Sequence, residues 1–254
     1  MQVRILGCSG GIGGALRTTS LLLDSDILVD AGTGVGDLSI DALMEIDHIF
    51  ITHSHLDHVA SIPLLLDTVM GLRVKPITVH ATQETWKILK DHIFNWEIWP
   101  DFSVIPHEDQ PFLQFSPISL GETVVLGERK ITPLPANHVV PAVGFQIDSG
   151  RASLVFSGDT TSCDALWDVV NRIENLRYLI IETAFSNGEL RLAQLSKHLC
   201  PSLLREELQK LHRQAQIFIT HLKPGEGEQI MQEIAAFSSR YTPAPLQHGQ
   251  VFEL

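Results

Sequence analysis

The chain has 254 residues, 44% of them hydrophobic and 19% charged, which excludes a disordered chain and suffices for one large domain over residues 1–254. Its formal net charge of −12 argues against a surface built for long nucleic acids, which need basic tracks to displace counterions from phosphates. No run approaches the roughly 20 apolar residues of a membrane span, and "MQVRILGCSGGIGG" at the start lacks a signal-peptide core, so a cytoplasmic protein without membrane contact is expected.

In chain order, "VRIL", "DILVD", "HIFIT", "PITVH", "TVVL", "VGFQI", "SLVFS", "YLIIE" and "QIFIT" are short runs rich in Val, Ile and Phe, bounded by Gly, Asp, Asn or Pro. They predict strands. Between the first two, the glycine-rich "GCSGGIGGAL" predicts a turn rather than a phosphate loop, since it lacks the lysine of that signature. Ile62, Leu65, Leu66 and Val69 repeat at helical spacing, with Ser61 as cap, Pro63 in the first turn and Gly71 as stop. Leu166, Val169, Val170 and Ile173 predict a second helix, and Leu204, Leu208 and Leu211 after Pro201 a third. The segment from Asn95 to Pro117 reads as an irregular insertion. Sheets covered by helices are the expected arrangement. Cys8, Cys163 and Cys200 are odd in number and lack metal-motif spacing, so they are expected to be small apolar fillers.

The pentapeptide "IFITH" occurs twice, at residues 49–53 and 217–221. The first copy opens into "THSHLDH". There His53, His55 and Asp57 alternate, so an extended chain would project them to one side, while His58 needs the chain to turn. These four donors do not suit one tetrahedral zinc, because a catalytic ion takes three protein ligands and keeps a position for water. Two adjacent ions are the natural solution. Further ligands come in the same grammar of strand and polar tip: His138 in "LPANHVVP", Asp159 after "SLVFSG" and His221 at the end of the second "IFITH". Asp159 suits a bridging position.

The order His-x-His-x-Asp-His, then His, then Gly-Asp, then His after an apolar strand is similar to the metallo-β-lactamase superfamily across nearly the whole chain. The resemblance implies an α/β fold, a four-layer αββα sandwich with a dinuclear site at one sheet edge. By family role, His53, His55 and His138 hold one divalent ion, Asp57, His58 and His221 a second, and Asp159 bridges. Asp30 supports the site without ligating. Imidazole and carboxylate suit zinc first, with manganese and iron(II) open. Within the superfamily, "HSHLDH", "HVVPAVGF", "LVFSGDT", "IIETAFSN", "LSKHL" and "THLKP" resemble the class II cyclic-nucleotide phosphodiesterases, in particular their compact bacterial relatives. That resemblance implies hydrolysis of 3',5'-cyclic AMP or GMP to the 5'-monophosphate by hydroxide generated between the metals. The pair of cations would also draw a small anionic substrate into an acidic protein.

Outside the ligand set, Asp57 doubles as a proton acceptor. His198 reads either as a phosphate contact and proton donor or as an ordinary helix-start residue. Lys223 and Arg17 are candidate phosphate contacts. Glu182 reads as a partner of the site or as a carboxylate satisfied by backbone. Base stacking, a homodimer contact and core packing are each open to Trp96, Trp99 and Phe102. On the same scaffold, RNA phosphodiester, thioester and lactam hydrolysis remain open, as does a non-catalytic nucleotide-binding module.

Overall fold

The computed structural model describes residues 1–237 and 240–254. Its layers follow from side-chain alternation along the strands, since successive residues of a strand face opposite sides of a sheet. The first sheet is built from β1 (Gln2–Gly7), β2 (Ser20–Leu23), β3 (Ile27–Val29), β4 (His48–Phe50) and β5 (Ile77–Ala81). A two-stranded ribbon, β6 (Pro106–His107) with β7 (Gln110–Pro111), precedes the edge strand β8 (Leu113–Pro117). The second sheet contains β9 (Val124–Leu126), β10 (Arg129–Pro135), β11 (Val143–Asp148), β12 (Ser153–Phe156), β13 (Leu176–Glu182), β14 (Gln216–Thr220) and β15 (Ala244–Pro245). The last strand, β16 (Val251–Glu253), returns to the first sheet beside β1. Among the described residues each large sheet has seven strands, ordered β16-β1-β2-β3-β4-β5-β8 and β15-β14-β13-β12-β11-β10-β9.

Val3, Ile5, Leu21, Leu23, Ile27, Val29 and Phe50 from the first sheet meet Ile131, Phe145, Ile147, Leu154, Phe156 and Ile180 from the second in one buried cluster. The intervening residues face outward. Leu22, Leu28, Ile49 and Ile51 are covered by α3 (Ser61–Val69) and α4 (Gln83–His92), with α1 (Ile40–Met44) packed at the margin. Val155, Leu179, Ile181, Ile217 and Ile219 are covered by α5 (Asp164–Val170), α7 (Pro201–Gln209) and α8 (Gly227–Ala236). The four-layer αββα sandwich expected from sequence is the observed architecture. Both copies of "IFITH" read the same way: the two isoleucines lie under helices and the phenylalanine faces between the sheets.

Three local expectations are corrected. The 95–117 segment is not wholly irregular, because β8 pairs in parallel with β5, opposing Leu113 to Ile77; Phe102 is buried in the core, Trp99 packs against it and Trp96 is exposed. Ser61 does not cap α3, whose N-cap is Ala60 at the end of α2 (Leu56–Val59); its hydroxyl donates instead to the Gly32 carbonyl at 2.8 Å. Asp57 lies in α2, so the extended run ends at His55. Among the described residues no helix is long and apolar enough to cross a membrane.

His80 on β5 gives a prediction about stability. It is buried, its ring stacks on Phe50 with centroids 4.2 Å apart, and its Nδ1 has no hydrogen-bond partner among the described residues. Burial, reinforced by His48, pushes its pKa down to about 4 from 6.5. The folded state therefore holds His80 neutral while the unfolded chain protonates it, and stability falls as pH drops from about 6.5 to about 4. Between about pH 7 and pH 5 this site should cost about 2 kcal/mol. Urea unfolding of His80→Phe, which keeps the stacked ring, should show an acid loss smaller than wild type by that amount; equal losses would remove His80 from the account.

Candidate metal centre

Strand directions bring the ligands together. β10 and β12 both run antiparallel to β11, and β13 and β14 run parallel to β12. The residues following β10, β12, β13 and β14 therefore leave from one edge of the second sheet, and they carry His138, Asp159, Glu182 at the end of β13, and His221. In the first sheet β3 and β4 are parallel, so Asp30 and His53 leave from one edge as well. The Val143 amide donates to the Thr52 carbonyl at 3.0 Å, fixing the two edges together. Carboxyl ends of strands are where open α/β sheets place ligands.

The seven predicted ligands converge in two groups that share Asp159. Donor atoms of His53, His55, His138 and Asp159 lie within 4.8 Å of one another, and so do those of Asp57, His58, Asp159 and His221. The Asp159 carboxylate is 3.6 Å from His53 Nε2, 3.3 Å from His58 Nε2 and 3.3 Å from His221 Nδ1. Asp57 faces the second group, 3.9 Å from His58 Nε2 and 3.7 Å from His221 Nε2. His53, His58, His138, His221 and Asp159 are buried, whereas the Asp57 side chain keeps 28% of its surface exposed.

Hydrogen bonds behind the rings decide which nitrogen faces inward. Asp30, buried, accepts from the Thr52 amide and hydroxyl, both at 2.8 Å, and from His58 Nδ1 at 2.6 Å. With its proton spent on Asp30, the Thr52 hydroxyl accepts from His53 Nδ1 at 3.0 Å. The Lys197 carbonyl, which can only accept, takes the Nδ1 proton of His138 at 3.1 Å. His53 and His138 thus carry their proton on Nδ1, as metal ligands do; the Nε2 atoms of His53 and His58 face Asp159 at 3.6 Å and 3.3 Å, and that of His138 lies 3.2 Å from His55 Nδ1. His53 Nε2, His58 Nε2 and His221 Nδ1 are buried without any hydrogen-bond partner among the described residues. Orphaned inward-facing nitrogens around a carboxylate are what a divalent cation satisfies, and the all-N/O donor set suits zinc, manganese or iron. The residues fit a pair of such ions.

The electrostatics point the same way. Burial pushes His53 well below its ordinary pKa, His138 down to about 4 and His221 down to about 3, so all three are neutral imidazoles, the form a metal ion takes. His58 departs from this pattern: burial opposes its charge, but Asp159 and Asp30 on either side outweigh burial and hold it well above 6.5. Asp159 is likewise opposed by burial, yet His221, His58 and His53 hold it well below the usual carboxylate range. The site calls for positive charge beside His58, which a proton meets in the metal-free protein and a metal would meet by displacing it.

Backbone strain is concentrated here. Asp30, Lys197 and His221 have φ of +57°, +54° and +64°, a left-handed conformation costing about 1–2 kcal/mol per residue. Hydrogen bonds from the Asp30 amide to Phe50 and the His221 amide to Cys8, each 2.8 Å, hold two of them in place. Gly32 lets the end of β3 run against α2; a Cβ there would sit 2.4 Å from the Asp57 carbonyl oxygen.

Of the remaining predicted residues, His198 is at the site. It lies not at a helix start but just after α6 (Leu190–Ser196), whose C-cap is Lys197. Its Nδ1 is 2.7 Å from Glu182, its ring lies 4.9 Å from that of His138 and stacks 5.1 Å from that of His221. Glu182, Asp159 and His198 make a third close group. Glu182 also accepts from the amides of Thr160 and Leu199, so both readings of it hold at once. Burial opposes a charge on His198, but Glu182 outweighs it and raises the pKa. The Lys223 amine donates to the Gly10 carbonyl at 2.8 Å and lies 5.8 Å from the Phe185 ring, which itself packs on His198. Arg17 is not brought to the cluster by any hydrogen bond: its guanidinium is held by Asp37, at 2.8 Å and 3.2 Å, and by the carbonyls of Gly14 and Leu16. Sequence reasoning missed Thr52 and Lys197. Lys197 clamps the His138 loop twice over, its Nζ donating to the His138 carbonyl and to Asn137 while its own carbonyl orients the ring.

Known proteins resemble this chain in sequence and in fold. The chain is 26% identical over 207 residues to a probable 3',5'-cyclic-nucleotide phosphodiesterase of Yersinia pestis, covering 70% of this chain and 57% of that relative. It is 33% identical over 125 residues to ribonuclease Z of Thermococcus kodakarensis, covering 47% of this chain and 36% of that relative. The chain thus spans under two thirds of the length of either. Among solved structures, unliganded yeast PDE1 superposes with a TM-score of 0.82 at 18% identity, over 100% of this chain and 99% of the other. The metallo-beta-lactamase fold protein YhfI from Bacillus subtilis gives 0.76 at 19% identity, over 99% of both. Residues 25–242 match the family model described as a beta-lactamase superfamily domain. The chain belongs to the β-lactamase superfamily and has the metallo-β-lactamase fold.

Proposed function

We propose that this metallohydrolase cleaves 3',5'-cyclic nucleotides, with cyclic AMP or cyclic GMP giving the 5'-monophosphate. The observation that carries a two-metal hydrolase is the sharing of one buried carboxylate, Asp159, by two groups of inward-facing imidazoles. His53, His55 and His138 would hold one ion, Asp57, His58 and His221 the other, with Asp159 common to both. When bound, the ions supply Lewis-acid neutralisation of phosphoryl charge and water of lowered pKa. The choice of a cyclic nucleotide is supported by the named activity of the Yersinia pestis relative.

The protein's own groups supply the proton traffic. Asp57, the most exposed carboxylate of the cluster, takes a proton from the attacking water. Glu182 holds His198 by Nδ1, leaving Nε2 free to protonate the departing 3'-oxygen. Lys223, beside Phe185 and His198, adds positive charge on the same side.

Hydrolysis of an RNA phosphodiester is the second reading, favoured by the ribonuclease Z match. The net charge of −12 opposes it. The decisive measurement is turnover by protein loaded with zinc or manganese, offered cyclic AMP, cyclic GMP, bis(p-nitrophenyl) phosphate, a precursor transfer RNA, a thioester and a lactam. Release of 5'-monophosphate, abolished by chelation and restored by metal, is the expected result. Cleavage of the RNA alone, or tight nucleotide binding by metal-loaded protein without turnover, would overturn it.

A further inference from the structure

We infer that the cavity beside His138 is a subsite for the uncharged, amine-bearing base of the substrate, and that Glu84 is the residue that recognises it. The inference rests on the cyclic-nucleotide reading given above. The cavity, about 540 Å³, opens between the start of α4, the loop after β8 and the loop after β10, and His138 forms part of its wall. A molecule whose phosphate lies at the metal ligands therefore has this hollow next to it.

The chemistry of the lining selects what can enter. Among the described residues, Glu84 is its only ionisable group apart from His138, and no lysine or arginine lines it. A phosphate would meet a carboxylate there with no cation to offset it, so the hollow takes the organic part of a nucleotide and not a second phosphate. Nor is the start of α4 a free anion site, because the Thr82 hydroxyl already accepts from the Thr85 amide and Glu84 occupies the first turn. The polar groups divide into committed and free. Asn137 is spent on the Ser162 carbonyl and on Lys197. Gln83 and Glu84 are exposed and neither side chain has a hydrogen-bond partner among the described residues. Leu120, 59% exposed, stands with Val140 and Pro141 as an apolar wall.

An apolar wall and a free carboxylate beside an amide match a flat heterocycle whose edge donates N–H bonds. Purines with an exocyclic amine have that edge. A carboxylate accepts such hydrogens and the glutamine amide both donates and accepts, whereas a base edge made only of acceptors would be repelled. Guanine and adenine both qualify, and hypoxanthine, which lacks the exocyclic amine, is the informative contrast.

The test compares wild type with Glu84→Ala and Glu84→Gln, all metal-loaded, on cyclic AMP, cyclic GMP, cyclic IMP and bis(p-nitrophenyl) phosphate, the last having no base. The expected result is a rise of about tenfold in KM for the preferred amino-purine nucleotide, relative to KM for bis(p-nitrophenyl) phosphate, with a much smaller change for cyclic IMP. Ratios that stay constant across the four substrates overturn the subsite while leaving the phosphodiesterase reading intact. Titrating adenosine and guanosine, followed by NMR, separates the two ideas from the other side. Shifts confined to the α4 start and the loop after β8, abolished in Glu84→Ala, sustain the subsite even if cyclic nucleotides are not turned over. Absence of shifts together with absence of nucleotide turnover sinks both.

Discussion

Asp159→Ala is expected to abolish phosphodiester hydrolysis and to strip the protein of bound metal. Three orphaned or charged imidazoles, His53, His58 and His221, approach this carboxylate within 3.6 Å, and both groups of donors include it. Mutation of groups that merely orient a ligand costs about 10–100-fold in affinity or activity, so loss of a shared ligand should exceed about 100-fold. The alanine also leaves His58 with Asp30 at 2.6 Å and only the more distant Asp57 at 3.9 Å, so its preference for positive charge weakens. Metal analysis of the purified variant, alongside bis(p-nitrophenyl) phosphate turnover, gives both readouts. Retention of two ions per chain at the wild-type rate would show that Asp159 bridges nothing.

The second large effect is expected at Asp30, a residue that touches no metal position. Asp30→Ala removes the acceptor for the Thr52 amide, the Thr52 hydroxyl and His58 Nδ1 at one stroke, in a fully buried setting. Breaking a buried charged network by deleting one partner costs about 3–5 kcal/mol. Alanine must also adopt the φ of +57° that aspartate tolerates better. Urea unfolding of metal-free protein should show that loss. Asp30→Asn, which keeps the shape and suits the left-handed backbone, should unfold closer to wild type yet bind zinc about 10–100-fold more weakly, because its amide no longer fixes the His58 and Thr52 protons. If the asparagine variant bound zinc with unchanged affinity in a chelator competition, Asp30 would be a folding residue only.

These two residues mark how far the sequence carries. Asp159 was legible because the chain announces it: an apolar strand, a glycine, then a carboxylate, in fixed order with the histidine motif. Asp30 was legible only through resemblance, and its three hydrogen bonds were not. Thr52 and Lys197 left no signal, since a threonine inside "IFITH" and a lysine before "HL" look like ordinary strand and helix-end residues. Arg17 shows what the sequence leaves out: a cation near a glycine-rich turn suggested phosphate, and its pairing with Asp37, twenty positions on, is seen only in the structure. Asp57 was placed on an extended chain because alternation in "HSHLDH" is visible, while the helical turn from Leu56 depends on packing of the following helix against the sheet.

What the sequence determined by itself is periodic and local: which runs are strands, which faces are apolar, and which strand ends carry imidazole or carboxylate. Those choices follow from side-chain alternation and residue chemistry, and they reach sheets covered by helices and a set of candidate ligands; the four-layer sandwich and the division of ligands between two ions came from the family resemblance. Tertiary structure decided which strand ends share an edge, which nitrogen of each ring faces inward, how Glu182 reaches His198, and that a hollow lined by Glu84 adjoins His138. Those depend on contacts between residues far apart in the chain, where a hydrogen bond is a matter of ångströms in space and leaves no period in the sequence.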